Sequence, residues 1–150
     1  MPEGTLFRTI LVPIDLNEID VSKPAIEKAA AIAAQTGGAL RLLNVQSLLP
    51  ATFMDYVPAD FDAAQQEKAE ADLRRVADAV PLPQDRVSTK VRIGGIYPEI
   101  LAEADDFGAD LIVIGSHRPA MSTYLLGSNA KTVVRHAKCS VLVVRDATAV

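Results

Sequence analysis

Residues 111–145 read LIVIGSHRPAMSTYLLGSNAKTVVRHAKCSVLVVR, and this stretch decides the fold class of the chain. The run Leu111–Ile114 is wholly apolar, as in a strand that is buried on both faces. Residues Ser128–Ala137 then have the pattern of a helix, and SVLVVR at 140–145 reads as another strand. A strand, a helix and a strand in this order predict two parallel strands joined by a crossover helix.

The rest of the chain continues this alternation of strands and helices. Strands are predicted at Thr9–Ile14, Ala39–Val45 and 87–93, and helices at Asp20–Thr36, Phe61–Val80 and Pro98–Phe107. Asp20 or Ser22 is expected to cap the first helix, and Gly37 with Gly38 to end it. The connection over 47–60 is long for a compact domain and is expected to form a flap or a partner contact. The order β-α-β-α-β-α-β-α-β predicts the α/β class: a doubly wound, five-stranded parallel sheet in three α/β/α layers.

Composition and charge restrict the class of protein further. The chain has 150 residues, of which 49% are hydrophobic, and this fits one domain over residues 1–150. The formal net charge of -4 argues against a nucleic-acid partner. Cys139 is the only cysteine, so no intrachain disulfide can form, and no stretch is long and apolar enough to span a membrane. We therefore expect a cytoplasmic protein without membrane insertion.

The carboxyl ends of the predicted strands carry the candidate ligand-binding residues. In open sheets of this class, ligands bind beyond those ends, where the strand order reverses. Asp15, Val45 and Gly115 end or follow the first, second and fourth strands. Gly127-Ser128 opens the last helix, whose free N–H groups and partial positive charge suit a phosphate. The pattern indicates a nucleotide, with adenine and ribose near Asp15 and Val45 and the phosphates near Gly127-Ser128.

Each of these residues also has a simpler structural interpretation. Asp15 caps a turn or the first helix equally well, and Gly115 ends a strand. Gly127-Ser128 is then an ordinary helix N-cap, His117 a hydrogen-bonded loop residue and Arg118 a surface charge. No other chemistry is favoured, because the sequence has no metal-ligand spacing, no G-x-G-x-x-G after the first strand and no G-x-S-x-G.

Four stretches of the chain resemble the universal stress protein family. They are TILVPID at 9–15, LLNV at 42–45, GGIYPEIL at 94–101, and GADLIVIGSHRP with LLGSNAKTVVRHAKCSVLVVR within 108–145. The resemblance covers nearly the whole chain and keeps the order of its elements. It implies the strand order 3-2-1-4-5, a homodimer joined through the C-terminal strand, and ATP bound at the carboxyl edge of the sheet.

The resemblance also assigns roles to residues at that edge. It places Pro13 and Asp15 beside the adenosine, with Asp15 on the ribose, and it brings the main chain of Val45 to the adenine. Gly115 begins the loop that binds the phosphates, and Mg²⁺ accompanies the ATP. It assigns Gly127, Ser128 and Asn129 to the phosphates, through their N–H groups and the Ser128 hydroxyl. Ser116 and His117 lie within the loop and are assigned to the phosphates or the ribose.

The loop departs from the family's ATP-binding pattern at Arg118. That pattern is G-x-x-G, nine residues and G-[S/T], whereas Arg118 stands at the second glycine and eight residues separate it from Gly127. Arg118 does not easily adopt the left-handed conformation open to glycine, and Pro119 biases it toward an extended main chain. Arg118 is then expected to replace lost N–H contacts with a charge-assisted contact to phosphate. The variant loop is similar to a short-loop branch of the family whose members look like ATP binders.

Three functions remain open on the sequence. The first is a dimeric, ATP-binding regulatory module of the stress response, which acts on a protein partner that the sequence does not identify. The second is a nucleotide-free interaction dimer, in which Arg118 and the shortened loop contact a partner. The third is slow ATP hydrolysis, for which the sequence offers only Asp15 or His117 as a base, and no residue is assigned as catalytic.

Overall fold

The computed structural model describes residues 6–47, 61–116 and 128–145. In these ranges five strands form one parallel sheet, in the order β3-β2-β1-β4-β5. The strands are β1 (Thr9–Pro13), β2 (Ala39–Gln46), β3 (Val87–Ile93), β4 (Leu111–Gly115) and β5 (Ser140–Val144). The helices are α1 (Ile19–Thr36), α2 (Phe61–Asp78), α3 (Ile96–Phe107) and α4 (Ser128–His136). The predicted α/β class and the strand order are confirmed.

Alternate residues of the central strands pack against helices on opposite faces of the sheet. Ile10 and Val12 of β1 belong to the core formed with α1 and α2, whereas Leu11 belongs to the core formed with α3 and α4. All three side chains are completely buried. Burial on both faces explains why the central strands are continuous apolar runs rather than alternating ones.

Two helices, α1 and α3, begin at residues other than those predicted, whereas α2 and α4 begin at the predicted Phe61 and Ser128. α1 begins at Ile19, and its N-cap residue Glu18 makes no side-chain capping bond, so the prediction that Asp20 or Ser22 caps this helix is wrong. The Ser22 side chain is buried instead, and its Oγ accepts a hydrogen bond from the Asp15 N–H at 3.2 Å. α3 begins at Ile96, two residues before the predicted start, because a proline is tolerated within the first turn of a helix.

Gly37 and Gly38 end α1 as predicted, for two different physical reasons. Gly37 has a φ of 74°, in the left-handed region that glycine adopts readily, and its N–H donates to the Ala33 carbonyl at 2.9 Å. Gly38 is buried where the chain turns into β2 and passes close to β1. A Cβ at Gly38 would lie 2.7 Å from the Arg8 carbonyl oxygen, so the main chains meet too closely for a side chain.

A buried carboxylate on α3 joins two strands of the sheet, and we call this group the Glu103 cluster: Glu103, Glu99, Arg41 and Arg92. Glu103 is 1% exposed, and its two oxygens each lie 2.7 Å from Nη1 of one arginine, Arg41 on β2 and Arg92 on β3. Arg92 Nε also lies 2.7 Å from Glu99 Oε1, and the hydrogen bonds to Glu99 and Glu103 raise the pKa of Arg92. The guanidinium of Arg41 lies 4.2 Å from the centre of the Phe107 ring. The cluster therefore fixes α3 to the β2–β3 half of the sheet.

The flap predicted over residues 47–60 lies, except for Ser47, outside the described residues. Within the described ranges, no helix has both the length and the apolar character needed to cross a membrane. A 3-10 turn at Gln84–Arg86, which the sequence pattern did not indicate, leads into β3.

Candidate functional site

The strand order reverses between β1 and β4, and the two strands part before they reach their carboxyl ends. The pairing of β1 with β4 ends at Leu11↔Ile112, whereas its pairing with β2 continues to Pro13↔Leu43. β4 itself runs on to Gly115. The paired part of the two strands therefore ends short of the carboxyl edge of the sheet, and we call this place the β1–β4 gap. Gaps at this topological position are where sheets of this class bind ligands.

Pro13 explains why the pairing of β1 with β4 stops. The Thr9 carbonyl accepts the Asp110 N–H at 2.9 Å, so the odd-numbered residues of β1 direct their main-chain groups toward β4. Pro13 belongs to that set and has no N–H to donate. The ladder between the strands therefore loses a hydrogen bond at this residue, and the predicted site residue Pro13 has a structural role in opening the gap.

The main-chain hydrogen bonding of β2 changes at Val45, on the side that faces β1. The Ile14 N–H donates to the Leu43 carbonyl at 2.7 Å, and in a regular parallel ladder the Ile14 carbonyl would next accept the Val45 N–H. It accepts the Asn44 side-chain Nδ2 instead, at 2.9 Å. Among the described residues, neither the N–H nor the carbonyl of Val45 has a main-chain partner on the β1 side. One donor and one acceptor are thereby left side by side at the carboxyl edge.

Asp15 lies where the chain leaves β1, and its main chain and side chain both hold a turn. The Asp15 N–H donates to Ser22 Oγ at 3.2 Å, and Asp15 Oδ1 accepts the Asn17 N–H at 2.9 Å. The simpler interpretation of Asp15 as a turn-capping residue is therefore seen in the structure. Within the described part of the chain, Oδ2 of this exposed carboxylate accepts no hydrogen bond. The turn thus fixes the carboxylate while leaving one oxygen for a ligand hydroxyl.

Gly115 ends β4 on the other side of the gap, and its described neighbours do not require a glycine there. Among the residues that the structure describes, a Cβ at this position would meet only the Val21 carbonyl oxygen, at 3.5 Å, which is an ordinary contact. The next residue, Ser116, is buried and its N–H donates to the Val144 carbonyl at 3.0 Å, which continues the pairing of β4 with β5. A ligand that approaches the main chain closely gives a reason for a glycine that packing within the chain does not.

α4 directs its N-terminus to the same edge of the sheet. Because β4 and β5 are parallel, the helix between them runs back from the carboxyl edge, and it begins at Ser128. Ser128 is exposed, Asn129 is partly buried, and the Ser128 carbonyl accepts Thr132 Oγ1 at 2.9 Å. The predicted site residues His117, Arg118 and Gly127 lie outside the described residues. The predicted site residues that the structure describes all lie at, or next to, strand ends or a helix start at the carboxyl edge of the sheet.

The sequence analysis missed the polar residues beneath this edge, Asn44 above all. Asn44 is 4% exposed, and its Nδ2 donates to the Ile14 carbonyl at 2.9 Å. Its signal in the sequence is a lone amide in the apolar strand ALRLLNV, one residue before a predicted ligand contact. Buried amides in strands are unfavourable unless they are hydrogen-bonded, so such a residue indicates a specific partner.

Reactive side chains are scarce in the described part of this edge. No group of three or more His, Cys, Asp or Glu residues in the described ranges has a metal-binding arrangement. Cys139 lies just before β5, at the opposite, amino-terminal edge of the sheet. It is partly buried, and this burial raises the pKa of its thiol. The thiol is therefore protonated at neutral pH, when it is a poor nucleophile.

The fold and the β1–β4 gap define a doubly wound, five-stranded parallel α/β protein whose strand order reverses at β1 and β4. A family model described as "Universal stress protein family" matches residues 6–145. The chain therefore belongs to the universal stress protein family, as the resemblance of its sequence implied.

Named relatives cover almost the full length of the chain. Universal stress protein G of Escherichia coli O157:H7 is 36% identical over 143 residues, which is 93% of this chain and 100% of that protein. Universal stress protein A homolog 2 of Coxiella burnetii is 32% identical over 142 residues, which is 93% of this chain and 95% of that protein.

Solved structures show the same fold. The universal stress protein UspA from Lactobacillus plantarum matches with a TM-score of 0.76 and 26% identity, over 93% of this chain and 99% of that one. A universal stress protein solved in complex with cAMP matches with a TM-score of 0.69 and 24% identity, over 93% of this chain and 97% of that one.

Proposed function

We propose that this protein is an ATP-binding regulatory module of the stress response that acts as a homodimer in the cytoplasm, with residues 1–150 forming one domain. The observation that carries the proposal is the main-chain edge of Val45 beside the β1–β4 gap, which has no main-chain partner on the β1 side in the described part of the chain. The described residues at this edge fit an adenine nucleotide in three respects, which concern the base, the ribose and the phosphates. ATP bound with Mg²⁺ would alter a surface that a protein partner recognises, through its different affinity for two states of the protein.

The base is matched by Val45. Adenine presents an amino group that donates and a neighbouring ring nitrogen that accepts, and an N–H beside a carbonyl complements this pair. The N–H and carbonyl of Val45 are such a pair, and they have no main-chain partner on the β1 side among the described residues. Because main-chain groups are fixed by the strand, they select a base without the entropic cost of ordering a side chain.

The ribose and phosphates are matched by residues on both sides of the gap. Asp15 Oδ2 is available to accept a ribose hydroxyl, and Oδ1 is already held by the Asn17 N–H at 2.9 Å. Gly115 allows close approach of a phosphate, and the N-terminus of α4 supplies free N–H groups with the Ser128 hydroxyl. The assignments of His117, Arg118 and Gly127 to the phosphates complete this proposal on the resemblance alone.

A relative supports an adenine nucleotide as the ligand class. The universal stress protein solved in complex with cAMP shares the fold over 93% of this chain. Its ligand contains an adenine, a ribose and a phosphate, which are the groups that the β1–β4 gap is proposed to bind. We propose that this chain binds ATP at the carboxyl edge of its sheet, and that it turns ATP over slowly if at all.

The direct test is to identify the nucleotide that the protein carries. The purified protein is denatured, its supernatant is separated by anion-exchange chromatography, and the emptied protein is titrated calorimetrically with ATP and Mg²⁺. About one ATP per chain, or saturable heat on titration, is the expected result. A supernatant without nucleotide, followed by no heat, contradicts ATP binding and leaves the dimer surface as the function.

The ribose role of Asp15 gives a prediction for affinity. Asp15→Ala is expected to weaken ATP binding about 10- to 100-fold, because a hydrogen bond to a charged acceptor is lost. The measurement is the calorimetric Kd with Mg²⁺ at fixed ionic strength. Asp15→Asn is the matched control, since its side-chain oxygen can still accept the Asn17 N–H and keep the turn. Unchanged affinity in Asp15→Ala would remove the assigned ribose role.

The proposed dimer uses β5, which is the last strand of the sheet. Among the described residues, β5 pairs with β4 along one of its two edges, and its residue Leu142 is 37% exposed. An exposed strand edge with an apolar side chain is a template for pairing with a second copy of the chain. The proposed dimer would cover both the edge and this side chain.

A charge in β5 is therefore expected to separate the two protomers. Leu142→Glu should shift the mass measured by light scattering after size exclusion from dimer toward monomer, because like charges would face each other across the edge. Ile96→Glu, at a residue of α3 that is 39% exposed, is the matched control and should leave the dimer intact. A Leu142→Glu protein that remains dimeric at low micromolar concentration would place the interface elsewhere.

A further inference from the structure

Three side-chain amides form a continuous hydrogen-bonded chain that ends at the carboxyl edge of β1. Gln65 Nε2 on α2 donates to Gln46 Oε1 at 2.8 Å, Gln46 Nε2 donates to Asn44 Oδ1, and Asn44 Nδ2 donates to the Ile14 carbonyl at 2.9 Å. All three bonds run in the same direction, from the helix to the strand. Bonds aligned in this way polarise one another, so the chain strengthens its last bond, to Ile14.

We propose that Asn44 is a specificity-determining positioning residue: it stops the pairing of β1 with β2 one hydrogen bond early, and so reserves the main-chain edge of Val45 for adenine. This inference rests on the proposed function for its ligand. The termination of the strand pairing by Asn44 is a separate, structural part of it. The two parts are tested separately below.

The position of the Ile14 carbonyl shows what Asn44 competes with. The strands are in regular register up to this residue, since the Ile14 N–H donates to the Leu43 carbonyl at 2.7 Å. The next acceptor in the ladder is the Ile14 carbonyl and the next donor is the Val45 N–H. Neither residue is a proline, and the Ile14 carbonyl accepts the Asn44 amide at 2.9 Å where the expected bond is missing.

The face of the sheet explains how the side chain can take this acceptor. Residues alternate along β2, so Asn44 lies on the same face as Leu40 and Leu42, which belong to the core formed with α1 and α2. Gln65 reaches Gln46 from α2 on that face. The bond from Asn44 therefore draws the Ile14 carbonyl toward α2, out of the line in which it would meet the Val45 N–H.

The consequence for a ligand is selectivity between bases. Adenine offers an amino donor and a ring acceptor to the Val45 pair, whereas hypoxanthine has a carbonyl in place of the amino group and an N–H in place of the acceptor. A Val45 edge held open should therefore favour ATP over ITP, while phosphate contacts at the other side of the gap should not distinguish them. The ratio of the two affinities reports the base contact alone.

The structural part is tested on nucleotide-free protein by amide hydrogen exchange in Asn44→Val. This change removes the competing donor and suits a strand. We expect the Val45 amide to exchange about tenfold more slowly than in the unchanged protein, because it now donates to the Ile14 carbonyl. A variant that merely loosens the strand would give the opposite sign. Unchanged or faster exchange at Val45 in folded Asn44→Val would overturn the inference.

Two further variants keep this result interpretable. Leu42→Val lies on the same strand and face, is also buried, and leaves the Asn44 amide in place, so it should not slow exchange at Val45. Asn44→Ala removes the same donor with a smaller side chain, and it replaces Asn44→Val if valine prevents folding. Slower exchange at Val45 in Leu42→Val as well would mean that the effect is not specific to Asn44, and would also overturn the inference.

The ligand part is tested by calorimetric titration of the same proteins with ATP and ITP. The unchanged protein is expected to prefer ATP by about tenfold or more, and Asn44→Val is expected to lose most of that preference. Loss of ATP affinity with an unchanged ATP-to-ITP ratio would contradict a role of Asn44 in selecting the base. An unchanged protein that binds neither nucleotide would contradict the proposed function and the ligand part together, while the exchange result would still decide how the strand pairing ends.

Discussion

Replacing Glu103 by alanine is expected to lower the free energy of unfolding by about 3 kcal/mol. The carboxylate is 1% exposed and forms bonds of 2.7 Å to both Arg41 and Arg92. Its removal leaves two positively charged guanidinium groups that repel each other and have lost the carboxylate that they share. Their side chains are 27% and 20% exposed, so partial hydration keeps the loss at the lower end of the range for a broken buried ion pair.

The measurement is urea unfolding at neutral pH, with the midpoint and slope compared between variants. Glu103→Gln keeps the shape and some of the hydrogen bonds, so it should cost less than the alanine variant. Glu99→Ala is the matched control, because Glu99 also binds Arg92 but is 26% exposed, and it should cost less than about 1 kcal/mol. Equal losses in Glu99→Ala and Glu103→Ala would show that burial of Glu103 is not what makes the cluster stabilising.

Gly38→Ala is expected to destabilise the protein by about 2 to 3 kcal/mol, although it adds a single methyl group. The new Cβ would lie 2.7 Å from both the Cα and the carbonyl oxygen of Arg8. These are main-chain atoms that cannot move aside easily, since the Arg8 carbonyl also accepts the Ala39 N–H at 2.8 Å. Relief of the contact would require β1 and β2 to separate at their first shared hydrogen bond.

Gly115→Ala is the matched control for Gly38→Ala, and it should change the stability very little. Within the described ranges its Cβ would meet only the Val21 carbonyl oxygen, at 3.5 Å, so the unfolding free energy should change by less than about 1 kcal/mol. Thermal and urea unfolding of both variants give the comparison. A Gly115→Ala protein as unstable as Gly38→Ala would mean that the glycine serves the fold, and would remove one support for a phosphate beside it.

The regular part of the fold could be predicted from the sequence because each strand and helix carries its own local signal. Apolar runs such as Leu111–Ile114 and glycine stops such as Gly37 are determined by burial and main-chain conformation, both of which are visible in a few residues. The start of α1 could not be predicted in this way. Ser22 has the composition of a capping residue, but it is buried and binds the Asp15 N–H seven residues back, a contact that depends on how the chain leaves β1.

The candidate site was predictable to the extent that it follows from topology. Asp15, Val45 and Gly115 lie at one edge because parallel strands end together, which needs no knowledge of side chains. What the sequence could not show is the competition for the Ile14 carbonyl, because it depends on an amide from the neighbouring strand. Asp15 shows a related limit: both the turn and the ligand interpretation use the same carboxylate, and only the turn is visible without a ligand.

The early end of the pairing between β1 and β4 also has a mechanical consequence. Two residue pairs join these strands, whereas five join β1 to β2 and five join β4 to β5. The boundary between β1 and β4 is therefore the place where the sheet should separate first when its two halves are pulled apart. A nucleotide bound as proposed would touch Asp15 and Val45 on one half and Gly115 and Ser128 on the other. Such a ligand would add contacts across the boundary with the fewest residue pairs, so its dissociation should increase the relative motion of the two halves.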